Sequence, residues 1–182
     1  MTSSVVQLIA DNLTVLRQGK ELVTVLDGPA FTAKSPALAL SGVGPHLRHV
    51  LDCYRRFLDV LEDPGEPGRT LRIDYDVRER DPRLETDPHH AVATLSQTMN
   101  RLRAVSSAEL DRPLEVRSEG SSWVPTTVAR ELQSLVSHTI HHFALIAVVL
   151  RCQGRDPGPE FGVAPSTLRH WESQRQAEVA SA

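Results

Sequence analysis

Cysteine is scarce in this chain. Only Cys53 and Cys152 occur among 182 residues, which rules out a disulfide framework, and the absence of a Cys-x-x-Cys pair argues against a zinc ribbon or a thioredoxin-type redox centre. Neither sign of charge dominates: 20 basic against 23 acidic side chains leave a formal net charge of -3. That balance supplies no chain-wide attraction to nucleic acid or anionic lipid. The longest apolar run, residues 143–150, is far below the roughly 20 residues of a membrane-spanning helix, and three histidines stand just before it. The opening MTSSVVQLIADNLTVLRQGK lacks the basic start, continuous apolar stretch and small-residue cleavage site of a secretory signal. A cytoplasmic protein with no membrane and no nucleic-acid partner is the expectation. Gly-rich phosphate loops and nucleophile elbows are missing as well.

What is present is helical periodicity. Four segments carry apolar residues three or four apart, each long enough for several turns. The first spans about 4–26, with Val5, Leu8, Ile9, Leu13, Leu16 and Val23 near one stripe, and stops before Gly28-Pro29. The second starts near Gly44-Pro45, with Pro45 suited to the first helical position, and breaks at Asp63-Pro64-Gly65. Asp87 is a plausible N-cap for the third, followed by Pro88, Val92, Leu95, Met99 and Leu102. The fourth runs from Thr126 or Thr127 to Cys152 and ends at Gly154. These predict an all-α four-helix bundle over residues 1–155. Short alternation at 70–75 and again at 113–117 suggests a minor β-hairpin element in the connections. Residues 156–182, rich in Pro, Gly and Ser, form a C-terminal extension expected to be partly loose.

The chemistry lies in Ser137-His138-Thr139-Ile140-His141-His142-Phe143. Imidazoles four apart on a helix share a face one turn apart, so His138 and His142 can converge on one ion, whereas His141 points roughly 100° away. A third ligand is then wanted from a facing helix, and the second helix offers both His46 and His49. Paired histidines also serve as hydrogen-bonded core residues, and His46, His89, His90 and His170 read most simply as surface groups. A zincin needs glutamate directly after its first histidine, and Thr139 stands there; a di-iron bundle needs Glu-x-x-His, and no glutamate is followed three residues later by histidine. A mononuclear site remains.

Three stretches together resemble the DinB/YfiT-like superfamily of metal-binding four-helix bundles. They are Gly42-Val-Gly-Pro-His-Leu-Arg-His-Val-Leu-Asp, Ile73-Asp-Tyr-Asp-Val-Arg-Glu-Arg-Asp with Glu85-Thr-Asp, and Arg130-Glu-Leu-Gln-Ser-Leu-Val-Ser-His-Thr-Ile-His-His-Phe-Ala-Leu-Ile. The resemblance covers nearly the whole chain and implies an up-down-down-up bundle, frequently a homodimer. It also implies a metal triad of one histidine from the second helix and a His-x-x-x-His pair from the fourth. That triad carries over onto His49, His138 and His142, with His49 preferred because Val50-Leu51-Asp52 follows it. His46 is the alternative ligand. Cys53, four residues after His49, lies near the same face, as an approaching thiol or as packing.

The same resemblance implies one divalent metal ion, zinc or nickel before manganese or iron, and a small-molecule substrate. Three neutral imidazoles leave the full charge of the ion available to activate a bound thiol or water. A thiol-dependent S-transferase or isomerase using a low-molecular-weight thiol is the leading expectation. A metal-dependent hydrolase and a non-catalytic small-molecule-binding or stress-response bundle are the alternatives. Tyr75 and Arg78 could line the pocket, Asp52 could orient a ligand histidine, and Arg130-Glu131 could complete a salt-bridge network.

Overall fold

The computed structural model describes residues 2–34, 41–63, 69–77 and 79–180. Helix α1 (Thr2–Val25) buries Val15, Leu16, Leu22 and Val23 along one stripe. Gly28-Pro29 ends it and opens a five-residue helix α2 (Gly28–Thr32), whose N-cap Asp27 accepts from the Ala30 N–H at 2.8 Å. Helix α3 (Val43–Glu62) begins two residues ahead of Pro45. Pro45 therefore sits third rather than first, still within the turn whose N–H groups have no intrahelical acceptor. Gly44 packs against the backbone of Glu85 so closely that a Cβ there would overlap the Glu85 carbonyl. Helix α4 (Pro88–Ala104) is capped by Asp87, which accepts from the His90 N–H, and helix α5 (Val128–Cys152) by Thr127, which accepts from the Arg130 N–H. Asp87 caps where the sequence places it, and α5 starts directly after Thr127, within the expected start at Thr126 or Thr127. Pro64-Gly65 and Arg78 lie outside the described residues.

The four long helices α1, α3, α4 and α5 pack in a ring, with α1 and α3 each touching both α4 and α5. Asn12 of α1 donates to the Leu132 carbonyl of α5, and Gly19 abuts Phe143 further along both. Arg101 near the end of α4 pairs with Asp59 and Glu62 near the end of α3. The core is one continuous cluster that includes Phe31, Tyr54, Phe57, Leu58, Leu95, Leu102, Phe143 and Ile146.

Between these helices lies a three-stranded sheet in the order β1 (Leu71–Asp74), β2 (Pro113–Arg117), β3 (Val124–Thr127). The expected hairpin between the first two strands is corrected here: β1 and β2 are parallel, and the antiparallel pair is β2–β3. A 17-residue helix, α4, separates β1 from β2, and a crossover of that kind brings a strand back in the same direction. Leu71, Ile73 and Leu114 bury their side chains, β1 lies against α3, and β3 leads directly into α5. After Gly154, with φ +73°, the C-terminal extension is tied down: Phe161 stacks on Phe143, the Gly162 N–H donates to Gln18, and helix α6 (Pro165–Ala180) pairs Arg169 with Asp11.

Helix α5 is long and apolar enough to cross a membrane by length and composition. Its buried residues, from Val128 and Leu132 to Val149 and Leu150, instead serve the bundle core. A polar network sets its rotation. Tyr54 Oη of α3 donates to Asn12 Oδ1 of α1 at 2.7 Å, while the Thr139 hydroxyl of α5 lies 3.3 Å from Tyr54 Oη and 2.7 Å from the Leu135 carbonyl. All three side chains are fully buried. Replacing Tyr54 by Phe strips Asn12 Oδ1 of its donor, so Tyr54→Phe is expected to lower stability by about 1–3 kcal/mol. Urea unfolding measures it, and a midpoint equal to that of the wild type would refute a structural role for the network.

Candidate metal centre

Spacing on two helices builds the site. On α3, His46, His49 and Cys53 follow at intervals of three and four residues, which keeps them on one side of the helix. On α5, Glu131, Leu135, His138 and His142 do the same. The two faces meet with His49 opposite His138 and His46 opposite His142.

Three Nε2 atoms converge. His49 Nε2 is 3.0 Å from His138 Nε2, which is 3.1 Å from His142 Nε2. At a metal–nitrogen distance of about 2.1 Å, ligand nitrogens stand roughly 3.0 Å apart at right angles and roughly 3.4 Å apart at a tetrahedral angle. Both spacings fit ligand nitrogens around one ion and equally fit nitrogens that share a proton. Donor atoms of His49, Cys53 and His138 lie within 4.8 Å of one another and could hold a metal ion, and His142 adjoins this group through His138. All four histidines are half-buried, and Cys53 is buried.

Electrostatics favour lone pairs over protons here. Burial, then the neighbouring rings of His138, His49, His46 and His141, push His142 down to about 3. Burial and then His141 lower His46 as well. Crowded neutral imidazoles of this kind fit a cation, because the ion replaces protons the cluster cannot hold.

The cluster opens on a cavity of about 570 Å³ between α3, α5 and the sheet, lined on the helical side by His49, Cys53, Leu135 and His138. Its sheet side carries Tyr75, Val116, Val124, Pro125 and Thr126. Glu131, buried at one end, accepts from the Tyr75 hydroxyl at 3.0 Å and from the Thr126 hydroxyl at 2.8 Å. Burial first, then the Glu131 carboxylate, raise the Tyr75 phenol well above its ordinary value, so it stays protonated.

The sequence-predicted residues sort cleanly. His49, His138 and His142 come together, and His46 joins them through His142. His141 is exposed, as its spacing predicts. Tyr75 lines the cavity, whereas Arg78 is outside the described residues. Asp52 is engaged by Arg48 at 2.6 Å within α3, and Arg48 also pairs with Glu85, which ties α3 to the turn ahead of α4. Among the described residues Arg130 donates to Ser134, and Glu131 takes neutral hydroxyl donors, not the salt-bridge network that the sequence suggests for this pair. His90, read as a surface group, is half-buried and meets Asp81 at 2.7 Å, an ion pair when protonated. The Tyr75–Glu131–Thr126 cluster was not anticipated, since its members lie on separate elements and acquire meaning only through the fold.

Comparisons with known proteins agree with this architecture. Residues 20–146 match the family model of the DinB superfamily. A DinB-like protein of Bacillus subtilis superposes with a TM-score of 0.55 at 18% identity, covering 82% of this chain and 93% of that one; identity so low bears on the fold alone. FK506-binding protein 5 of Rhizopus delemar is 29% identical over 123 residues, 63% of this chain. The match spans only 32% of that longer protein, so its name says nothing of this chain's activity.

The His142 shift has a pH signature. An imidazole that titrates at about 3 when folded and at its ordinary value of 6.5 when unfolded binds its proton only in the unfolded chain between those values. Its contribution is therefore complete above the unfolded value and is lost as pH falls towards the folded one. The chelator-treated protein is expected to gain stability as pH rises through this window, and more steeply than His142→Gln. Thermal melts across the window read the difference; parallel slopes for the two proteins would contradict it.

Proposed function

The chain belongs to the DinB superfamily, and from that premise we propose that it binds one divalent metal ion through His49, His138 and His142 and activates a low-molecular-weight thiol or water in the adjoining cavity. The observation that carries this reading is the convergence of three Nε2 atoms at 3.0 and 3.1 Å beside a cavity of about 570 Å³. A thiol-dependent S-transferase or isomerase is the reaction type, with zinc or nickel ahead of manganese or iron because a nitrogen site binds the later divalent metals of the first row more tightly. A hydrolase differs in needing no added thiol.

When bound, the ion supplies positive charge that lowers the pKa of a thiol or water beside it. The chain's own residues do the rest. Neutral imidazoles add no negative charge and leave the ion's charge available. Leu135 and Val116 give the cavity an apolar lining, which strengthens electrostatic interactions beside it. Tyr75, donating its proton to Glu131, turns its oxygen lone pairs to other partners and can accept from a substrate N–H, O–H or S–H.

The up-down-down-up arrangement belongs to the same reading. The Asn12–Leu132 and Gly19–Phe143 contacts support α1 parallel to α5, the His46–His142 and His49–His138 pairs support α3 antiparallel to α5, and Arg101 with Asp59 and Glu62 supports α3 parallel to α4. A cytoplasmic homodimer completes it.

One observation favours a second reading. Cys53 lies with His49 and His138, and as thiolate it would close a four-ligand site of structural type. Cobalt(II) substitution separates the two. Stripped Cys53→Ser is expected to bind one cobalt per chain and to show a sulfur-to-cobalt charge-transfer band only after a small thiol is added. A band in wild type without added thiol, lost in Cys53→Ser together with the ion, would favour the closed site. Retention of cobalt by His49→Ala, His138→Ala or His142→Ala would remove that residue from the ligand set.

A further inference from the structure

His142 is engaged at both ring nitrogens. Its Nε2 faces His138 Nε2 at 3.1 Å, and its Nδ1 faces His46 Nδ1 at 3.0 Å. With no ion between them, two imidazole nitrogens at that separation share one proton, since two bare lone pairs would repel; the same holds for the His49–His138 and His138–His142 pairs, whose lone pairs can face one another only around a cation. Only two neutral arrangements are available. With the proton on His46 Nδ1, His142 carries its own proton on Nε2 and cannot ligate. With the proton on His142 Nδ1, its Nε2 lone pair joins those of His49 and His138, and His46 carries its proton on Nε2.

We propose that His46 is a positioning residue: its Nδ1 accepts the His142 Nδ1–H and so fixes both the ring orientation and the tautomer in which His142 binds the ion. This rests on the reading of His142 as a ligand. His46 Nε2 is buried and has no hydrogen-bond partner among the described residues, so of its two ring nitrogens only Nδ1 is engaged, and the tautomer that frees His142 Nε2 leaves the His46 Nε2–H without an acceptor among them, a cost that binding of the ion must offset. The geometry also separates this role from ligation: Nδ1 and Nε2 of one imidazole point in divergent directions, so a nitrogen held against His142 Nδ1 is turned away from an ion at His142 Nε2. Spacing on α3 produces the division of labour, with His49 on the ion side of His142 and His46 behind it, ring centroids 4.7 and 5.3 Å away.

The acceptor has a chemical consequence. Metal-bound histidines commonly donate their second N–H to a carboxylate, which makes the ligand more basic. A neutral imidazole in that place orients the ring without adding negative charge, and the ion stays more electrophilic.

Zinc affinity of the stripped protein, measured by competition with a chromophoric chelator, tests this together with imidazole ¹⁵N correlation spectra of the zinc-loaded form. His142→Ala should lose the ion. His46→Ala should still bind one zinc per chain, about 10- to 100-fold more weakly, and His46→Gln should recover most of the loss because its amide oxygen can accept the same proton. The loaded wild type should carry protons on His142 Nδ1 and His46 Nε2. Unchanged affinity in His46→Ala, or protons on the opposite nitrogens, overturns the proposal. Loss of zinc from His46→Ala as complete as from His142→Ala overturns it too, by making His46 a ligand. Should His46→Ala fail to fold by circular dichroism, His46→Gln and the wild-type spectra decide. Absence of zinc binding in the wild type refutes the ligand reading and this proposal with it, whereas zinc binding with a silent His46→Ala refutes this proposal alone.

Discussion

The buried hydrogen-bond chain Asn12–Tyr54–Thr139 is the constraint on which the site depends. A helix packed only by aliphatic contacts can rotate or slide with modest loss, because such contacts are short-ranged but not directional. Hydrogen bonds in a dry core are directional and expensive to leave unmade. This chain ties α1, α3 and α5 together, and Thr139 stands one residue from His138 and three from His142. With Thr139 turned towards Tyr54, His138 and His142 face α3 and His141 faces out. Asn12, which donates to the Leu132 carbonyl, holds α5 in this rotation, and Thr139, its hydroxyl given to the Leu135 carbonyl, packs 3.3 Å from Tyr54 Oη on the buried side.

Given that rotation, antiparallel contact between α3 and α5 does the rest. Moving up one helix and down the other pairs 46 with 142 and 49 with 138, and continues past Cys53 towards Glu131 at the cavity end. Polarity changes along this seam from crowded neutral imidazoles to a carboxylate held by two hydroxyls. Keeping the carboxylate away from the imidazoles matters electrostatically, since an acid in direct contact with His142 would favour a proton there. The seam presents lone pairs at one end and an oriented phenol at the other, with the cavity between.

Much of this was legible in the sequence, and the limits are physical. Helix boundaries were readable because local chemistry decides them: Asp87 caps where expected, α5 starts directly after Thr127, and Gly28 and Gly154 stand at breaks. His138 and His142 were readable because i, i+4 geometry is a property of any α-helix. The choice between His46 and His49 was not, since both lie on the face of α3 turned to α5 and only the docked register distinguishes a ring at Nε2 from one at Nδ1. Strand β3 escaped notice because Pro125 interrupts a run of only four residues, and the parallel β1–β2 pair because strand pairing is a long-range fact. Helix α6 has an exposed outer face and no strong apolar stripe, so composition pointed to a loose tail while Phe161 and Arg169 anchor it through tertiary contacts.

The cavity joins two walls of different construction. The imidazole wall is formed by long helices locked to the core, where small displacements meet dense packing on every side. The opposite wall is a three-stranded sheet with a short turn, pinned by few contacts: Asp76 accepts from the Glu119 and Gly120 N–H groups, Arg117 pairs with Asp74, and Trp123 lies between Arg72 and Arg117. The long helices hold the imidazole nitrogens at their spacing of about 3 Å. Shape and polarity of the cavity can change on the sheet wall without disturbing those nitrogens, since Val116, Val124 and Pro125 reach it from strands that contribute no imidazole. Tyr75 and Thr126 are the exceptions. Both hydroxyls are bound to Glu131 on α5, so the sheet side is registered to the helix that carries His138 and His142 through this carboxylate, and a change of pocket that moved either residue would be felt along that helix.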